Sequence, residues 1–88
     1  MIKKTYHFNM EKFGIVNSDV VSDPGLSLRA KGVYALLCTY ANKERVCFPS
    51  IVTLSELSGV GRRTIERSLK ELEDKKYVTR EGRVFRLA

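Results

Sequence analysis

Residues Leu54 to Leu72 read "LSELSGVGRRTIERSLKEL", two helical apolar periods separated only by Gly59-Val60-Gly61. A connection this short forces two helices to cross steeply and to share one apolar seam. Gly59 suits the left-handed conformation that ends a helix, and Val60 plugs the bend. Ile65, Leu69 and Leu72 then pack the second helix back, with Ser68 beside them at the packing edge. Everything else in the chain must fold around that corner.

The same glycines raise a rival reading, since a Gly-x-Gly turn ahead of a helix can cradle phosphate. A dinucleotide loop needs a preceding strand and a further glycine where this chain has Thr64, and a phosphate loop needs Gly-Lys-Ser/Thr where it has "GRRT". Here a helix precedes the glycines. The glycines therefore make a bend, and the arginines behind them open a helix read at about 62–75.

The surrounding chain supplies the rest of a small α+β domain. Tyr6, Phe8 and Met10 alternate, and Phe13, Ile15 and Val16 follow, which predicts an N-terminal strand segment over residues 1–16. Asn17 and Ser18 can cap a helical turn through Val21, and Asp23-Pro24-Gly25 marks a turn. Ser27 is a good N-cap for a helix reaching about Asn42, with Ala30, Val33, Tyr34, Leu37, Tyr40 and Ala41 on its buried stripe. "RVCF" at 45–48 reads as a brief strand stopped by Pro49. Ser50 caps the next helix, whose Ile51, Leu54 and Leu57 face one side. After the third helix, "KYVTR" and "RVFRL" flank a turn at Glu81-Gly82, the pattern of a hairpin.

At 88 residues the chain reads as one domain over 1–88, with its core in 27–88. Cys38 and Cys47 lie in no Cys-x-x-Cys pair and His7 is the single histidine, so no metal or other cofactor is expected. The two thiols read as small apolar core residues in a reducing cytoplasm. The longest apolar run, Val33 to Cys38, is far short of a bilayer span. No carboxylate pair or nucleophile with a base can be assembled, so an enzyme is not expected.

Charge carries the functional signal. Sixteen basic against ten acidic residues give a net charge of +6, which favours phosphate-bearing partners. From Arg62 to Lys70 there are four basic residues and one acidic, and from Glu71 to Lys75 three acidic and one basic. This order opposes the helix macrodipole, which favours acids first and bases last. Opposite Ile65 on a helical wheel stand Arg63, Arg67, Lys70 and Asp74, with Thr64 and Glu66 on the flanks. The bland alternative is a solvated face whose arginines pair with neighbouring acids. The hairpin adds Lys76, Arg80, Arg83 and Arg86 against Glu81 alone, either as nucleic-acid contacts or as charges that blunt an edge strand.

With this order of elements assembled, "LSLRAKGVYALLCTYANK" and "CFPSIVTLSELSGVGRRTIERSLKELEDKKYV" resemble the winged helix-turn-helix domain of plasmid and phage replication initiators and replisome organisers, over about residues 13 to 80. The residue opening the recognition helix in such domains is commonly serine, and this chain departs with Gly61. The resemblance implies a three-helix core with a small antiparallel sheet and a C-terminal wing hairpin. It also implies double-stranded DNA as partner, met by Arg62, Arg63, Thr64 and Arg67, with Ser50 and Thr53 near the backbone. Within that frame Arg63 and Arg67 are expected in the major groove, Arg62 and Lys70 on phosphates, and Arg80 and Arg83 on the wing. The biological setting is expected to be replication initiation or transcriptional regulation. A homodimer, with Tyr6, Phe8 and Met10 as the segment that would join it, and further replication proteins are possible partners. The rival class is a winged-helix protein adaptor, which would lack the steep salt dependence of DNA binding. RNA is disfavoured because exposed aromatics that stack bases are not evident.

Overall fold

The computed structural model describes residues 14–88. The expected strand positions Tyr6, Phe8, Met10 and Phe13, and His7, lie outside the described residues. Ile15 and Val16, also expected in that strand, are exposed and belong to no regular element. In place of strand pairing, this segment lies close against the end of α2. A Cβ on Gly14 would sit 2.9 Å from the backbone of Cys38 and Thr39, a spacing only glycine allows.

The elements in order are α1 (Ser18–Val21), α2 (Leu28–Tyr40), β1 (Val46–Cys47), α3 (Ile51–Ser58), α4 (Arg62–Asp74), β2 (Val78–Glu81) and β3 (Val84–Leu87). The strands form one antiparallel sheet in the order β1-β3-β2. Helices plus this sheet make a winged helix, as the resemblance implies. The starts of α1, α2 and α3 follow their caps. Asn17 Oδ1 accepts from the Asp19 N–H at 2.9 Å, Ser27 Oγ from Ala30 at 3.1 Å and Ser50 Oγ from Thr53 at 3.0 Å.

One apolar cluster joins the elements. Ala30, Val33, Tyr34, Leu37 and Cys38 of α2 meet Leu54 of α3, Ile65, Leu69 and Leu72 of α4, and Cys47, Val78, Phe85 and Leu87 of the sheet. Ser68 is buried beside them. Both cysteines are free and buried, and burial pushes the Cys47 thiol up to about 11, so it stays protonated and unreactive.

Two expected core residues are corrected. Tyr40 is 45% exposed because, at 3.6 residues per turn, it projects roughly 90° from the middle of the α2 stripe. Leu57 is 56% exposed because α3 is short and peripheral, and Leu54 is its one fully buried side chain.

Arg45, expected as the first residue of the brief strand at 45–48, instead lies in a bend ahead of β1 and ties the chain together. Its φ of 63° places a non-glycine residue in the left-handed region. From there Nη1 donates to the Ile15 carbonyl at 2.7 Å, and Nη2 donates to the Ala88 main-chain oxygen at 2.8 Å and to the Tyr34 hydroxyl at 3.2 Å. The Tyr34 hydroxyl donates to the same Ala88 oxygen at 2.8 Å. Several charge-assisted bonds offset the backbone strain.

The C-terminal end of α4 closes in a Schellman motif, with Lys76 N–H donating to Glu73 and Tyr77 N–H to Leu72, both at 2.9 Å. Lys76 holds the left-handed position there at φ 66°. Lys76→Gly is expected to raise stability by roughly 0.5–1 kcal/mol, the relief of left-handed strain less the entropy of a freer unfolded chain. A urea midpoint that falls in this variant would contradict that assignment.

Two carboxylates anchor α4 to the segment ahead of α2. Asp23 accepts from the Tyr77 hydroxyl at 2.7 Å, the Gly25 N–H at 2.8 Å and Lys75 Nζ at 3.1 Å, and the first of these does most to hold its carboxyl down at about 2. Glu71 accepts from the N–H and hydroxyl of Ser27 at 2.9 and 2.7 Å, which also lowers it. Both are depressed in the folded state, so their stabilisation is fully present above the ordinary carboxylate range. Stability should therefore decline as pH falls from about 4.5 toward 2. In Asp23→Asn the acid limb of a melting-temperature profile should flatten, and an unchanged limb would refute the anchor.

Candidate nucleic-acid interface

Gly59 takes φ 77° and closes α3, with its N–H donating to the Ser55 carbonyl at 3.0 Å. Ser55 Oγ reaches across the bend and donates to the Val60 carbonyl at 2.6 Å. With Val60 half-buried against the core, the corner between α3 and α4 is fixed on both sides. Gly61 supplies no side-chain cap, so the first N–H groups of α4 are left without a hydroxyl partner.

The packing of Ile65, Ser68, Leu69 and Leu72 divides α4 into three further strips. Glu71 faces α2 through Ser27, and Glu66 and Glu73 face the hairpin through Arg80, at 3.3 and 3.9 Å from its Nη1. Arg63, Arg67 and Lys70 occupy the outer strip, all exposed, and Arg62 stands exposed at the helix start. Arg62, Arg63 and Arg67 make no ion pair with any described residue. Lys70 meets Asp74 at 3.6 Å, an exposed pair of little strength that a phosphate can displace. The acids of this helix are thus drawn to its flanks or its far end, and the outer strip stays positive.

The remaining expected site residues fall in different surroundings. Thr64 is half-buried in a shallow groove between α2 and the bend, with Leu57 and Val60. Ser50 and Thr53 share the first turn of α3, their hydroxyls 3.0 Å apart. Arg80 lies 5.3 Å above the Phe85 ring and is held to α4 by Glu66, so its charge is largely matched. Arg83 was expected beside the hairpin turn and instead lies in it. Glu81 pairs with Val84, which leaves Gly82 and Arg83 as a two-residue loop. Gly82 has φ 60° and Arg83 does not share that region, as in a type II′ turn.

Phe48 is a further exposed residue beside this surface, unmarked by its local sequence. Its neighbour Cys47 points inward from β1, so alternation turns Phe48 out, and it is 71% exposed. Only the pairing of β1 with β3, through Cys47 and Phe85, reveals which way it faces.

The family description "Helix-turn-helix domain" matches residues 25–78, more than half of the chain. The chain belongs to this helix-turn-helix domain family. The matched span runs from the turn before α2 to the first residue of β2, so it includes the bend and all of α4. Among curated proteins, Protein YmfN of Escherichia coli (strain K12) is similar, at 34% identity over 59 residues. That alignment covers 67% of this chain and 13% of the relative, so the chain spans a small part of the length of the curated protein it matches. No solved structure matches it. Among the described residues, no cluster of His, Cys, Asp or Glu is suited to a metal ion, and no helix is long and apolar enough to cross a membrane.

Proposed function

We propose that this helix-turn-helix chain binds double-stranded DNA sequence-specifically by laying α4 in the major groove, without catalytic chemistry. The observation that carries the reading is the outer strip of α4. Its arginines are exposed and unpaired among the described residues, at the N-terminal end of the second helix of the unit. That end of such a helix is the one that meets base edges.

Arg63 and Arg67 reach the bases, where a guanidinium binds guanine in a bidentate manner. Arg62 and Lys70 hold phosphates on either side, and Thr64 with the uncapped N–H groups of α4 meets the backbone beside them. Ser50 and Thr53 sit at the α3 entry close to the flanking strand. Arg83 is the cation of the wing available for a phosphate, while Arg80 sets the wing's angle to α4 through Glu66. The resemblance to initiator domains supports a place in plasmid or phage replication, with transcriptional regulation as the other setting for the same contacts. A second copy would double the few contacts that one such domain provides.

Selection from a random duplex library tests the sequence-specific reading. Enrichment of a defined site is expected. A bound pool with no consensus would leave only charge-driven association and overturn it.

A further inference from the structure

We propose that the groove between the β1–α3 loop and the wing takes one unpaired nucleotide of a DNA strand that runs on beyond the duplex. The inference rests on the DNA reading of α4 and adds a second site to it. Phe48, Pro49 and Ile51 line one wall of the groove, and Gly82, Arg83 and Val84 the other. Pro49 restricts the Phe48 backbone to extended conformations. A Cβ added at Gly82 would meet nothing within 4 Å, which leaves the facing wall open.

Charge and shape together specify the occupant. Arg80 and Arg83 line the groove and no carboxylate does. Arg80 is matched by Glu66 and Glu73, whereas Arg83 makes no ion pair with any described residue, so the groove keeps a net positive charge. A cation beside an exposed aromatic face is the arrangement that holds a nucleotide by phosphate and base at once. Bases inside a duplex have their faces covered by their neighbours, so the partner of the Phe48 ring is a base out of the stack. Arg80 joins the two sites. It borders the groove and bonds to Glu66 on the flank of α4 that faces the hairpin.

Anisotropy titrations with the full chain compare a blunt duplex with the same duplex carrying a short single-stranded tail, with 2-aminopurine at the first unpaired position. The tailed DNA should bind about tenfold more tightly and its 2-aminopurine fluorescence should be quenched on binding. Phe48→Ala should bring tailed-DNA affinity down to the blunt value and remove the quench, and Phe48→Trp should retain both. Equal affinity of the wild type for the two DNAs, or a tail preference that survives Phe48→Ala, would overturn the groove site while leaving the α4 reading intact. Binding to neither DNA would overturn both.

Discussion

Replacing Arg63 and Arg67 together by alanine should abolish specific duplex binding while leaving the thermal melt nearly unchanged. Each arginine that reads a base edge contributes roughly 1–3 kcal/mol to discrimination, so the pair accounts for a loss of roughly two to four orders of magnitude in affinity. Neither side chain touches the core or pairs with a described residue, and exposed substitutions of that kind shift stability by less than about 0.5 kcal/mol. Affinity for the selected site and a melt followed by circular dichroism separate the two effects. Single variants should relax specificity at different base positions, because the residues stand about one turn apart. Lys70→Ala, by contrast, should weaken all sequences alike, as expected for a phosphate contact. Unchanged affinity in the double variant would mean that the outer strip of α4 is not the reading surface.

Leu54→Ala should strongly destabilise the domain, with a large fall in its denaturation midpoint. Leu54 is the one fully buried side chain of α3, and truncating a buried leucine costs roughly 2–5 kcal/mol through lost burial and the cavity left behind. A domain of this size has a total stability of roughly 5–15 kcal/mol, so the loss is a large share. The effect on binding should exceed the effect on fraction folded, because Leu54 sets how α3 leans on α4 and hence how α4 is presented. Leu57→Ala, three residues on, should shift the denaturation midpoint little, since Leu57 is 56% exposed. Equal losses in the two variants would show that α3 packs on a different face.

The contrast between Leu54 and Leu57 also shows how far residue spacing carries. Spacing reports a helix's apolar side, but the width of the buried stripe depends on what lies against it. Leu57 and Tyr40 sit at its margin, where only tertiary structure decides. Signals contained within a few residues were legible: the caps Asn17, Ser27 and Ser50, the left-handed Gly59, the Ile65–Leu69–Leu72 seam and the hairpin. Arg45 was not legible, because nothing local predicts an arginine at φ 63° whose partners are Ile15 and Ala88. Arg80 reads as a wing contact or an edge-blunting charge, and its match to Glu66 spans 14 residues and a turn of the chain. Phe48 was hidden for the same reason, since its direction follows from the register of β1 on β3. The charge order of α4 could be read directly, because it is a property of one helix.

The measurement that bears most directly on the account is the salt dependence of duplex affinity, taken on the wild type and on the Arg63/Arg67 double alanine variant. Arg62, Lys70 and Arg83 as phosphate contacts predict a log-log slope near −3 for the wild type, at about −0.9 per phosphate neutralised. The double variant should bind far more weakly and without preference for the selected site. Duplex affinity that does not change between roughly 50 and 200 mM salt, or no duplex binding at the lower concentration with the fold intact, would contradict the account and favour a protein partner for the basic face.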